Sequence, residues 1–247
     1  MRWTERQRNM LGAMGIRLLA SPTAARVGDS TQAANDASND MPPAAVVMSP
    51  ASVSSTVDTM SWATLRSAVA GCRACALCES RKNTVFGVGH EHAHWMIVGE
   101  APGENEDLQG EPFVGQSGKL LDNMLRAIGL ARDAQTPEQA VFICNTVKCR
   151  PPRNRNPDAA EIARCAPFLE RQIELVQPKL LLAMGRFAVQ ALLGSDEAIG
   201  KLRGRVHDRR GVPLIVTYHP AYLLRTLADK ARAWDDLCLA ASVLELP

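Results

Sequence analysis

The sequence is poor in net charge, in aromatics and in long hydrophobic runs. Its 247 residues carry a formal charge of only +2. No global basic field therefore marks a nucleic-acid binder, and any such contact has to come from a local patch. Aromatic residues make up 4% of the chain. The longest apolar stretch, KLLLAMGRFAV, is interrupted by Arg186 and is too short to cross a bilayer. The first twenty residues, MRWTERQRNMLGAMGIRLLA, are amphipathic, and their apolar part is short and broken by charge, which argues against a secretory signal. The expectation is a monomer in the reducing cytoplasm with no membrane attachment. There, seven cysteines are better read as metal ligands or buried thiols than as disulfides. Phosphate-binding loops are missing too: no G-x-G-x-x-G and no Gly-Lys-Ser/Thr follows a strand.

What is present falls into three parts. Residues 1–20 have one apolar face, through Met10, Leu11, Met14, Leu18 and Leu19, and predict a short helix. Residues 21–60 are rich in Ala, Ser, Asp, Pro, Thr and Val, lack a sustained period and read as a disordered linker. The folded domain is expected over 61–247. It opens with a helix in WATLRSAVAGC. Four buried strands follow, HWMIVGE (94–100), VFICNTV (141–147), KLLLAMG (179–185) and PLIVTYH (213–219). Helical segments separate and follow them: GKLLDNMLRAIGL, PDAAEIARCAPFLERQIELV, RFAVQALLG and ADKARAWDDLCLAASVLEL. Short apolar strands alternating with helices predict an α/β fold, a three-layer α/β/α sandwich around a mainly parallel four-stranded sheet. Ligands of such sheets bind beyond the carboxyl ends of the strands. GEAPG, CNTVKC, GRF and YHPAYLL leave the strands there.

The cysteines are grouped. Cys72, Cys75 and Cys78 lie in GCRACALC, while Cys149 and Cys165 are separated by fifteen residues. Two close pairs brought together by a fold make a four-thiolate site, for zinc or for an iron–sulfur cluster, and spacing does not decide between them. Cys78 is a rival ligand. Cys144 in a strand and Cys238 in a helix read as ordinary apolar thiols.

The loop GEAPGENEDLQGEPFVGQSG, residues 99–118, is rich in glycine and crowded with carboxylates. A phosphate would be repelled. Carboxylates suit a reacting centre that becomes positive, such as the oxocarbenium-like sugar of N-glycosidic bond hydrolysis. Histidine can hold a base that leaves as an anion, an asparagine amide can read an imide edge, and an aromatic face can stack on a flipped base. Each residue alone has a bland reading. Phe113 could plug the core, Asn145 cap a strand end, His219 be structural, and Glu104 or Glu106 be solvated. Their origin at the ends of different strands favours a shared site.

Three motifs, GEAPGENEDLQGEPFVGQSGKLLDNML, NTVKCRPPRNRNP and YHPAYLLR, together with the cysteines, resemble the family 4 uracil-DNA glycosylases over residues 66–245. The resemblance implies a DNA-repair hydrolase of base excision that flips uracil out of DNA, cleaves its glycosidic bond and carries a 4Fe-4S cluster. It implies that Cys72, Cys75, Cys149 and Cys165 bind the cluster. It places Glu100, Ala101, Pro102, Phe113, Asn145 and His219 around uracil. His219 would stabilise the leaving anion. Related enzymes often carry an acidic or amide residue where Ala101 stands, so Glu100 is the first expectation for the water-aligning carboxylate and Glu106 the second. Lys148, Arg150, Arg153, Arg155, Arg203 and Arg225 are expected to meet DNA phosphates, with Tyr222 and Leu223 or Leu224 entering the gap. The rival reading is a non-catalytic or covalent uracil-DNA binder with a structural cluster. RPPRNRNPDAAE contains no histidine, which disfavours covalent trapping.

Overall fold

The computed structural model describes residues 57–244. The helix expected over 1–20 and all but the end of the linker expected over 21–60 lie outside those residues. Val57 is already buried at 2% exposure in the core, so packing begins ahead of the boundary expected at 61.

The four expected strands are present and form the parallel centre of the sheet: β2 (Trp95–Gly99), β3 (Val141–Asn145), β4 (Leu180–Met184) and β6 (Val212–Thr217). Two short antiparallel strands extend the edges, β1 (Val88–Gly89) beside β3 and β5 (Val206–Arg209) beside β6. The sheet thus has six strands in the order β1-β3-β2-β4-β6-β5, not four. The reason is local. β1 has two residues and no readable period. β5 reads VHDR, too polar and exposed to pass for a buried strand. It pairs with β6 through a two-residue turn, Arg210-Gly211, whose φ angles of 51° and 86° match the twist of a tight hairpin.

Alternation along the strands builds two cores. Met96, Val98, Phe142, Cys144, Leu181, Ala183, Leu214 and Val216 face one way. They pack under α1 (Trp62–Ala70), α5 (Ala159–Val176) and α6 (Arg186–Leu193). Trp95, Ile97, Val141, Ile143, Leu180, Leu182 and Ile215 face the other way, under α4 (Gln116–Ala127) and α9 (Lys230–Val243). Strands covered on both faces need apolar residues at every position, which is why they read as unbroken hydrophobic runs. Short helices complete the set: α2 (Leu77–Ser80), α3 (Glu104–Gln109), α7 (Ile199–Leu202) and α8 (Pro220–Leu223).

A side-chain cap sets the start of α5. Asp158 Oδ1 accepts the Glu161 N–H (2.8 Å), and Glu161 Oε2 accepts that of Asp158 (2.9 Å), a reciprocal cap that fixes the start of α5. The chain leaves β2 toward β3 on one side and leaves β4 toward β6 on the other. This reversal opens a crevice beyond the carboxyl ends of β2 and β4.

Candidate active site

A cleft of about 790 Å³ occupies that crevice. Its walls include Glu100, Ala101 and Pro102 after β2, Asn145 at the end of β3, Gly185 and Arg186 after β4, and Tyr218 and His219 after β6. Phe113 and Glu106 come in from the glycine-rich loop. All of the residues expected around uracil therefore line one cavity.

The floor of the cleft depends on a missing side chain. A Cβ on Gly99 would lie 2.5 Å from Asn145 Oδ1 and 2.6 Å from Phe113 Cζ, so only glycine lets those two groups close in. Phe113 is 5% exposed and adopts a positive φ of 55°. Its carbonyl backs onto Gly118, where a Cβ would approach to 1.8 Å. Arg132 Nη2 donates to that same carbonyl (3.0 Å), which fixes the turn presenting the ring. Asn145 is 2% exposed, and its Oδ1 is buried without a hydrogen-bond partner. Buried polar atoms are almost always paired, so an orphan acceptor in a cleft points to a ligand donor.

His219 caps α8. Its Nδ1 accepts the Ala221 N–H (3.1 Å), leaving the proton of the neutral ring on Nε2. The imidazole stacks on Phe113, with centroids 5.3 Å apart and planes 28° from parallel. Burial, reinforced by the nearby Arg225 charge and opposed by Glu106, pushes its pKa from 6.5 down to about 4. The group facing the cleft is thus a neutral hydrogen-bond donor.

The two candidate carboxylates separate cleanly. Glu106 is 8% exposed, and both its oxygens are committed to the loop. Oε2 accepts from Gly103 N (3.1 Å), and Oε1 accepts from Val114 N (2.9 Å) and Gly115 N (3.0 Å). Its carboxylate clamps the loop backbone while the residue also lines the cleft. Glu106→Gln turns an acceptor into a donor facing an N–H. The expected loss is about 2 kcal/mol of stability, read by thermal or denaturant melting with the pH profile of activity unmoved. Glu100 keeps its carboxyl in the cleft. Burial raises its pKa, and the nearby Arg186 charge partly offsets that.

A second, narrow cavity lies on the other side of the β3 exit. Cys72, Cys75, Cys78, Cys149 and Cys165 line it, with Arg81 and Lys148. Burial pushes Cys165 up to about 12 and raises Cys75 and Cys149 as well. Nitrogen donors nevertheless aim at the sulfurs: Arg81 Nη1 to Cys149 Sγ (2.9 Å) and Lys148 N to Cys165 Sγ (3.3 Å). Among the described residues no three ligating side chains are arranged around a single ion. The five thiols share the lining of one small cavity.

A model of the uracil DNA glycosylase superfamily matches residues 86–238, well over half of the chain. The chain belongs to the uracil DNA glycosylase superfamily. It is similar to curated type-4 members. The type-4 uracil-DNA glycosylase of Archaeoglobus fulgidus is 42% identical over 164 residues, 63% of this chain and 79% of the relative. That of Saccharolobus solfataricus is 45% identical over 162 residues, covering 62% and 72%. That of Pyrobaculum aerophilum is 39% identical over 183 residues, covering 71% and 90%.

Around this superfamily cleft, the basic residues do not form one patch. Arg153 and Arg225 are exposed. Arg155 lines the cleft while holding Glu161 through two hydrogen bonds (2.9 and 2.5 Å). Arg150 bonds Asn154 Oδ1 (2.7 Å) and approaches Glu104 (3.6 Å). Three expected DNA-facing residues are misplaced for that role. Lys148 is 1% exposed, with its amine on the Asn145 carbonyl (2.7 Å). Leu223 is fully buried in the core, whereas Leu224 is 42% exposed. Arg203 turns inward to buried Asp236 (2.9 Å), which also accepts the Gly204 N–H (3.1 Å). Tyr222 lines the cleft, stacked on Tyr218 at 5.0 Å and donating to Asp229 Oδ2 (2.6 Å). The sequence reading missed Arg186 as the counter-charge of Glu100 and Arg81 beside the thiols. The position of GRF after a strand was a usable signal for the first. A lone arginine in ESRKN offered none for the second.

Proposed function

We propose that the protein is a DNA-repair glycosylase that flips uracil into the cleft and hydrolyses its N-glycosidic bond. The observation that carries this is the buried, unpartnered Oδ1 of Asn145. Uracil presents an N–H beside a carbonyl, and a single amide answers both. Phe113 supplies the face on which the base stacks. Arg155 and Arg225 in the cleft wall, and Arg150 and exposed Arg153 just before Arg155 in the chain, suit phosphates, which position a strand without reading its sequence. Exposed Leu224 suits the gap left by the flipped base.

As the C1′–N bond breaks, its electron pair goes to the base, and negative charge grows on the uracil carbonyl. The Nε2–H of His219 donates to that oxygen. Positive charge grows on the sugar and faces the Glu100 carboxylate. Water adds to C1′ and gives a proton to Glu100, leaving an abasic site and the uracil anion; Glu100 then gives up that proton and the anion takes one up to become free uracil. The carboxyl's raised pKa, which burial causes and the Arg186 charge partly offsets, favours that proton transfer from water.

Cys72, Cys75, Cys149 and Cys165 suit a 4Fe-4S cluster. Thiols lining one cavity, with the Arg81 guanidinium and the Lys148 backbone N–H turned toward two of them, match the needs of an anionic polynuclear group. When bound, the cluster supplies a rigid cross-link between the α1–α2 connection and the exit of β3. Cys78 lines the same space as a fifth thiol.

The test is release of free uracil from a single-uracil DNA strand by purified protein. Asn145→Ala is expected to lower single-turnover cleavage by about a hundredfold. A wild-type protein that retains its cluster yet releases no uracil would sink the enzyme reading and leave a uracil-DNA binder.

A further inference from the structure

Lys148 is the one lysine among the largest fully buried side chains, at 1% exposure. Its ammonium donates to the Asn145 carbonyl (2.7 Å) and lies against the Cys144 thiol. Among the described residues no carboxylate pairs with it. A buried ammonium is costly unless nearby charge offsets it, and an anionic group in the thiol cavity that Lys148 also lines would supply that charge. The lysine is also a strand-end hub. Its own N–H points at Cys165 Sγ (3.3 Å), and the next residue is Cys149, whose sulfur accepts from Arg81. One residue therefore touches the thiol cavity with its backbone and the base-reading asparagine with its side chain.

We propose that Lys148 is a positioning residue that carries counter-charge for the thiol-held cluster and, through the Asn145 carbonyl, fixes the amide that reads uracil. The proposal rests on the cluster and uracil reading above. It ties the two cavities into one unit. The anionic cluster stabilises the ammonium, and the ammonium locks the end of β3. Because Asn145 ends that strand, a fixed carbonyl fixes its side chain at the floor of the cleft.

The test compares Lys148→Met, which keeps length and loses charge and donor, with Lys148→Arg, which keeps both. Iron content, the reduction potential of the cluster and affinity for free uracil are measured in each. Reduction makes the cluster more negative, so loss of a nearby cation is expected to shift the potential of Lys148→Met downward. Uracil affinity should fall about ten- to a hundredfold. Lys148→Arg should recover much of the potential. A Lys148→Met protein with full iron, unchanged potential and unchanged uracil affinity overturns the proposal. Should that variant fail to fold, wild-type protein labelled with ¹⁵N-lysine decides. A Lys148 ammonium resonance that moves on cluster reduction and again on uracil binding supports the coupling; one that responds to neither overturns it. Wild-type protein that releases no uracil overturns the glycosylase reading and this coupling with it. Uracil release combined with a potential indifferent to Lys148 overturns the coupling alone.

Discussion

His219→Ala is expected to slow single-turnover uracil release by about a hundred- to a thousandfold, the cost of removing one preorganised donor to a developing anion. His219→Gln, which keeps a neutral N–H donor, should recover part of that loss. The ring is neutral before the reaction, since its pKa lies at about 4, and it acts as a hydrogen-bond donor rather than a proton donor. The wild-type rate should therefore show no limb near 6.5 attributable to this group, and loss of the neutral ring should begin only as pH approaches about 4. Any acid limb above that belongs to Glu100, whose pKa is raised by burial, and should vanish in Glu100→Gln along with most of the rate. The sign for stability follows from proton binding. Between 6.5 and about 4 the unfolded chain takes up a proton that folded His219 refuses, so its contribution to stability is lost as pH falls through that window. A His219→Ala protein cleaving at the wild-type rate would exclude the histidine from the chemistry.

Glu100 and Glu106 show why local pattern stops short of assigning roles. In sequence they are two glutamates in one glycine-rich loop. Only the fold reveals that three backbone N–H groups close on Glu106 and that, among the described residues, none closes on the carboxyl of Glu100. The same distinction separates the basic residues. KCRPPRNR reads as one positive patch, yet the chain turns at the exit of β3 so that Lys148 enters the protein while Arg153 stays in solvent. Helix α8 is only four residues long, too short for a period to show that Leu223 faces the core and Leu224 faces out. What was legible rests on signals that survive without tertiary context. Fully buried strands read as apolar runs, and the cysteines grouped in sequence do line one cavity. The cleft was placed because strand ends carry ligands in this class of sheet. Edge strands escaped notice, since β1 has two residues and β5 is polar.

Gly99→Ala is expected to abolish uracil recognition while leaving the sheet intact. Gly99 ends β2, pairs with Asn145 across the ladder and has no positive φ, so alanine suits its backbone. The conflict is confined to the floor of the cleft. A methyl group there would meet Asn145 Oδ1 at 2.5 Å and Phe113 at 2.6 and 2.8 Å, distances at which something has to move. The backbones of both neighbours are held, so the side-chain ends have to shift toward the cleft. Phe113 is held by a left-handed turn against Gly118 and by Arg132, and Asn145 by Lys148 on its carbonyl. The methyl therefore separates the stacking face from the imide-reading amide. A displacement of about 1 Å at a reacting centre costs about a hundredfold, and two partners move here, so cleavage is expected to fall by at least that much with weakened binding of free uracil. Far-ultraviolet circular dichroism and the iron content should match wild type. Wild-type cleavage by Gly99→Ala would mean that Asn145 and Phe113 do not act as a fixed pair, and the amide would lose its place as the reader of uracil.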